Sequence, residues 1–369
     1  MQYTQINTSP IEDLLGQLWD RGGTDIHLAA DAPPMFRIDG ELYPVPGQPT
    51  LTGNQLEELI SAMLTDEMLS AFYENKQVDF SFSWGRETRY RGNAFRERGA
   101  PSVALRAIPF EIPTPEDLLL PPVMSELSKR SQGLVLITGP TGSGKSTTQA
   151  SLIGLINRTQ RRHVITLEDP IEYVHHHQQS IIAQREIGLD TLSFQDGLRA
   201  ALREDPDVVL VGEMRDPDSI ATTLTVAETG HLVFATLHTN DTSSAVDRII
   251  DVFPPERQAQ IRVQLAASIQ AVVAQRLVPR VGGGLIAAFE ILLTNSAVKG
   301  LIREGKTHQL RNVISQNVRE GMQTLEQSLS TLVLHGLITE EEAIAKAVLS
   351  KALKLPSMLA NEETDPALA

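Results

Sequence analysis

The segment Gly139-Pro140-Thr141-Gly142-Ser143-Gly144-Lys145-Ser146 matches the pattern GxxxxGK[ST], and Thr147 follows it directly. Glycines at these spacings let backbone N–H groups curl around phosphate oxygens. A helix starting at the lysine adds the positive end of its dipole. In such a loop Lys145 reaches β- and γ-phosphates and the Ser146 hydroxyl ligates Mg2+. The pattern predicts a nucleotide with Mg2+ as cofactors, held by the stretch from Gly139 to Thr147.

Two other segments set acids at the ends of apolar runs. One runs from His163 to Leu167 and continues Glu168-Asp169-Pro170-Ile171-Glu172. The other runs from Asp207 to Val211 and continues Gly212-Glu213-Met214-Arg215-Asp216. Phosphoryl transfer to water needs one carboxylate to organise the metal and its waters, and another to orient and polarise the attacking water. Glu168 and Glu213 are the candidates, and glycine before Glu213 would let the main chain pass close to a nucleotide. His231 and His238 bracket a third run, Leu232–Leu237. His238 stands at its carboxyl end, where a γ-phosphate sensor belongs. His175-His176-His177 reads as a solvated loop, because consecutive residues cannot all face one ion and no paired acid spacing supports a metal site.

The elements that must carry these groups follow from periodicity. Residues 1–20 read as a short helix with Ile11, Leu14, Leu15 and Leu18 on one face. Ile26–Leu28, Met35–Ile38, Val78–Phe82 and Val103–Ile108 read as strands, and Thr52–Tyr73 reads as one helical stretch. This predicts a small α+β domain over 1–109. Pro109, Pro113, Pro115, Pro121 and Pro122 make 110–122 a semi-rigid linker. From Val123 short apolar runs alternate with helical patterns, which predicts βαβ units on a mostly parallel sheet over 123–295. A helical region over 296–355 and a flexible tail over 356–369 complete the layout. In open parallel sheets ligands bind beyond the carboxyl ends of the strands, which is where the loop and both acids fall.

Composition narrows the function. Of 369 residues, 32 are Lys or Arg and 46 are Asp or Glu, for a net charge of −14. That balance, with no basic stretch interleaved with aromatics, weighs against nucleic acid as a partner. Cysteine is absent, which excludes disulfides, thiol catalysis and thiolate metal sites. No signal peptide is visible, and no apolar run approaches the ~18 residues of a spanning helix. Direct membrane insertion is not expected, so a protein partner must hold the chain at any membrane.

The phosphate loop, the two acidic segments and the His231–His238 strand, in this order, resemble the Walker A, Asp box, Walker B and His box of the secretion-ATPase superfamily. That superfamily powers type IV pili and type II secretion, and the chain looks most like its pilus-retraction branch. Asp25–Leu28 and Pro33–Gly40 resemble the family's N-terminal PAS-like domain. The resemblance implies a P-loop (RecA-like) α/β core behind that domain, a homo-hexameric ring, and ATP hydrolysis that turns an inner-membrane platform protein so that pilins leave the pilus base. It places the protein in the cytoplasm, at the inner face of the membrane, with paralogous pilus ATPases as further candidate partners. It assigns water activation to Glu168 and the magnesium side to Glu213. It also implies that arginines late in the small domain close over the nucleotide, here Arg106 and Arg91, with Arg89 beside Arg91 on one side of an extended strand.

Two features bear on subtype. Assembly and type II secretion relatives carry a four-cysteine zinc module beyond the His box, whereas this chain has Gln275–Glu290, two apolar runs joined through glycines, which predicts a plain hairpin. Retraction relatives carry an AIRNLIRE segment, which here reads Ala297-Val298-Lys299-Gly300-Leu301-Ile302-Arg303-Glu304. Its apolar positions 297, 298, 301 and 302 are expected on one helical face, and Leu301–Glu304 is expected to couple motor to track. The alternatives are an assembly or secretion ATPase, a DNA-translocating ATPase, and a non-hydrolysing nucleotide-binding regulator.

Overall fold

The apolar runs and amphipathic segments sort the chain into two compact units, the first running to Glu111 and including Glu172–Val174, the second made of Ile112–Ile171 and the chain from His175 on. The computed structural model describes residues 6–38, 40–85, 88–108 and 111–357. Pro109 and Phe110 at the expected junction, Asp39 within the 33–40 segment, and 358–369 of the expected tail lie outside the described residues.

In the first unit α1 (Glu12–Asp20) buries Leu14, Leu15 and Leu18. Six strands form one antiparallel sheet: β1 (Asp25–Ala29), β2 (Met35–Ile38), β3 (Glu41–Pro44), β4 (Gln77–Trp84), β5 (Thr88–Glu97) and β6 (Ala100–Ile108), in the order β3-β2-β1-β6-β5-β4. The stretch expected as one helix over Thr52–Tyr73 is two, α2 (Gly53–Met63) and α3 (Asp66–Asn75). Leu64 is extended and the Thr65 side chain accepts from Met68 N, so a new cap interrupts a continuous apolar stripe. One face of the sheet packs with these helices over Ile26, Leu28, Phe36, Tyr90 and Leu105.

The second unit opens with α4 (Pro122–Leu127). Its sheet comprises β7 (Gly133–Thr138), β8 (His163–Glu168), β9 (Ile181–Glu186), β10 (Val208–Val211), β11 (Leu232–Leu237), β12 (Ile269–Pro279) and β13 (Leu285–Leu293). The order is β13-β12-β7-β11-β10-β8-β9, parallel throughout except for the β12–β13 hairpin. β7, β10 and β11 are buried along their whole length, which is why they read as unbroken apolar runs. Helices α5 (Lys145–Thr159), α6 (Phe194–Ala201), α7 (Pro217–Glu228), α8 (Thr242–Asp251) and α9 (Pro255–Ser268) make the crossovers. This is the expected P-loop, RecA-like α/β arrangement, with β11 inserted between the phosphate-loop strand and the Glu213 strand. The β12–β13 turn is a plain hairpin through Gly282, Gly283 and Gly284, all at positive φ.

Helices α10 (Ser296–Glu304), α11 (Leu310–Gln316), α12 (Leu325–Leu334) and α13 (Glu340–Lys346) follow. In α10, Val298 and Ile302 are fully buried and Leu301 is partly buried, but Ala297 is exposed. The expected four-residue face is therefore narrower, and Ile302 belongs to the core. Buried Glu326 accepts from Arg311 Nη2 (2.7 Å), Val348 N (3.1 Å) and Leu349 N (2.9 Å), which fixes the chain just beyond α13.

Candidate nucleotide site

The phosphate loop leaves β7 at Gly139 and enters α5 at Lys145. A Cβ on Gly139 would lie 2.4 Å from Gln275 O and 2.5 Å from Ser143 Oγ, so no other residue fits. A Cβ on Gly142, at φ +76°, would meet nothing within 4 Å. The loop is thus packed tightly on its β12 side and open at Gly142. Lys145 is buried, and its Nζ donates to Gly139 O (2.8 Å) and Pro140 O (3.0 Å), curling back into the loop. Ser143 Oγ is buried without a hydrogen-bond partner, a polar atom of the loop itself left for a ligand. Ser146 and Thr147 lie in the first turn of α5, where backbone N–H groups point out of the helix end.

Gln275 on β12 holds this loop. Its Nε2 donates to Ser143 O (2.7 Å) and its Oε1 accepts from Thr148 Oγ1 (2.8 Å), all in the buried interior. Sequence reasoning missed it, because a glutamine inside an apolar run acquires meaning only when β12 is known to flank β7. An open pocket of about 380 Å3 adjoins the loop, lined by Pro140–Ser143, Asn240, Arg276, Leu277 and Lys346. Arg276 forms its far wall, donating to Lys346 O (3.1 Å) and Asn240 O (3.4 Å).

Strand order places the remaining groups beside the loop. At the end of β11, His238 Nε2 lies 3.2 Å from Glu213 Oε1, and its Nδ1 lies 3.5 Å from both Lys145 Nζ and Thr141 Oγ1. An ionised Glu213 only accepts, so His238 Nε2 donates to it. Thr138 Oγ1 steadies this strand end, donating to Thr239 O (2.8 Å) and accepting from Thr239 N (2.9 Å). Glu213 Oε2 also meets Arg215 Nη2 at 2.7 Å. Burial alone would raise the Glu213 pKa, but the Arg215 hydrogen bond and the charges of His238 and Arg215 hold it below the ordinary glutamate value.

Gly212 is packed closely against the neighbouring strand. A Cβ there would lie 3.1 Å from Leu167 O and 3.3 Å from Glu168 Cα. Gly212 N donates to Leu167 O at 2.8 Å, and Thr236 Oγ1 donates to Gly212 O. The close approach is to the end of β8, and it sets the spacing between the two acidic strand ends. On β8, Glu168 Oε1 accepts from Thr166 Oγ1 (2.6 Å) and Gln184 Nε2 (3.1 Å). Gln184 Oε1 in turn accepts from His175 N (2.7 Å).

The His175–His177 segment is a loop, as expected, and His176 and His177 are exposed, but His175 is not. His175 is buried, and burial pushes its pKa down to about 4. His177 Nδ1 accepts from Ile182 N (3.1 Å), and His176 O accepts from Asn157 Nδ2 (2.6 Å). Among the described residues no group of three or more His, Cys, Asp or Glu is placed to hold a metal.

Arg91 and Arg106 lie in the first unit, directly opposite each other on β5 and β6. Arg89 shares their face and donates to Ser81 Oγ at 2.7 Å. Arg96 is tied to Glu57 at 2.9 Å and stacks over Phe72, so it is a packing group.

Residues 119–283 match the family model described as type II/IV secretion system protein. The chain is similar to the type IV pilus retraction ATPase PilT of Pseudomonas aeruginosa, 44% identical over 91% of this chain and 98% of the relative. It is also similar to a twitching motility protein of Neisseria gonorrhoeae, 42% identical over 94% and 91% of the two chains. Among solved structures, the pilus retraction motor PilT with bound ADP superposes with a TM-score of 0.87 at 46% identity, covering 93% of this chain and 98% of that one.

Proposed function

The chain belongs to the PilT family of pilus-retraction ATPases within the type II/IV secretion superfamily, and we propose that it works as the subunit of a homo-hexameric ring that converts ATP hydrolysis into pilus disassembly. The observation that carries the site assignment is the row formed by the phosphate loop, His238, Glu213 and Glu168 at the carboxyl ends of adjacent strands β7, β11, β10 and β8.

Each group's task follows from its surroundings. The loop from Gly139 to Thr147 wraps the phosphates with backbone N–H groups. Lys145 exchanges its carbonyl partners for β- and γ-oxygens. Ser146 and Glu213 are the side chains that would hold Mg2+, which when bound would neutralise phosphate charge. Glu168, steadied by Thr166 and Gln184, orients and polarises the attacking water. His238 links Lys145 to Glu213, so loss of the γ-phosphate is felt on both sides of β11. Arg106 and Arg91 neutralise charge on the transferring phosphoryl group.

Among the described residues no helix is long and apolar enough to cross a membrane. The family likeness supports a platform protein in the inner membrane as the partner of the ring. The glycine-turned hairpin and the absence of cysteine support retraction over the zinc-bearing assembly and secretion motors. Steady-state ATP turnover by purified wild type and Lys145→Ala tests the site. Turnover abolished in the variant, with the fold intact, is the expected result. Near-wild-type turnover would remove this loop from the reaction.

A further inference from the structure

Two segments of the first unit, Asp25–Leu28 and Pro33–Gly40, have no part in the nucleotide site described above. The sheet brings one charged residue from each into a single row. Arg37 pairs with Asp25 across β2 and β1, Asp25 with Arg106 across β1 and β6, and Arg106 with Arg91 across β6 and β5. Directly opposed residues share a face, so Arg37 and Arg106 flank one carboxylate, and Arg91 stands beyond Arg106.

Asp25 is only 5% exposed. Its Oδ1 accepts from Arg106 Nε at 2.7 Å, and its Oδ2 accepts from Thr24 Oγ1 at 2.7 Å and lies 3.8 Å from Arg37 Nε. A carboxylate buried this far stays charged only when paired. Arg106 behaves differently: its side chain is 71% exposed, and among the described residues only its Nε is hydrogen-bonded. A guanidinium gripped at Nε keeps both Nη groups for a second, outward-facing acceptor. Arg91, beside it, is exposed.

We propose that Asp25 is a positioning residue for phosphate handling: its buried carboxylate locks Arg106 by Nε, so that the Nη pair is presented ready-made to a nucleotide phosphate. A free arginine must lose side-chain rotamer entropy at the moment of reaction. Asp25 removes that loss in advance, and Arg37 is the second cation beside the carboxylate. The inference rests on the reading that Arg106 acts on the bound nucleotide.

The test is a double-mutant cycle on the full-length chain, with kcat and KM for ATP measured for wild type, Asp25→Asn, Arg106→Ala and the double variant. Thermal midpoints and binding of a fluorescent ATP analogue monitor the fold. Charge-assisted hydrogen bonds of this kind are worth about tenfold or more. Asp25→Asn is expected to lower kcat about tenfold, with KM and analogue binding nearly unchanged. In the Arg106→Ala background the same substitution should do nothing further. A normal kcat for Asp25→Asn beside a slow Arg106→Ala would overturn the positioning role and leave the arginine's role standing. Equal losses in both backgrounds would show that Asp25 acts through the fold, and would also overturn it. A normal kcat for Arg106→Ala would overturn the arginine reading and this inference together.

Discussion

A single methyl group inserted at Gly212 should disturb catalysis as well as stability. The added Cβ falls 3.1 Å from Leu167 O and 3.3 Å from Glu168 Cα, inside ordinary contact distance for both. Neither neighbour is a flexible side-chain tip, so the end of β10 must move from β8 by a few tenths of an ångström. Overpacking of that kind costs about 1–3 kcal/mol. The same shift moves Glu213 relative to Glu168, and stretches the Gly212 N to Leu167 O bond of 2.8 Å. Misplacing a reacting group by ~1 Å can cost about 10²-fold, so a displacement of a few tenths should cost roughly threefold to tenfold in kcat. Gly300→Ala is the matched control: it sits inside α10, and a Cβ there meets nothing within 4 Å. That change should stabilise by about 0.5–1 kcal/mol through helix propensity and leave kcat alone. Urea titrations and steady-state turnover at saturating ATP measure both quantities. An unchanged kcat for Gly212→Ala, with the expected loss of stability, would refute the idea that this contact spaces the two acids.

Other substitutions probe other parts of the account. Glu168→Gln and Glu213→Gln keep shape and remove charge, so each should bind ATP yet lose about 10²-fold or more in turnover; equilibrium binding with single-turnover kinetics separates the two effects. His175 is buried with its pKa pushed from 6.5 to about 4. The unfolded chain therefore takes up more protons between those values, and stability falls as pH drops through that window. Thermal midpoints of His175→Asn should depend less steeply on pH there than those of wild type. Ile302 is fully buried in the core of the second unit, so Ile302→Ala should cost about 2–5 kcal/mol in a denaturant titration. Coupling to the track is better sought at exposed Arg303 and Glu304.

Much of the site was legible because its chemistry is local. The phosphate loop, Glu168, Glu213 and His238 each sit within a few residues of a buried parallel strand, and such strands announce themselves as apolar runs. The pieces that hold those groups came from far away in sequence. Gln275 grips the loop across a sheet neighbour, Gln184 reaches Glu168 from β9, and Asp25 meets Arg106 across a strand pair. β9 reads Ile-Ile-Ala-Gln-Arg-Glu and lies at the sheet edge, so half of it is polar and it left no clear signal. β3 is exposed at every position, and nothing in its pattern marks a strand. The break at Thr65 was hidden by apolar residues that keep helical spacing on both sides of the cap.

The most direct measurement is pilus dynamics in living cells that lack this protein. Cells without it should carry persistent pili that do not retract, and wild-type chain should restore retraction while Lys145→Ala should not. Bald cells, or retraction driven by the Lys145→Ala chain, would contradict a retraction motor powered at this site.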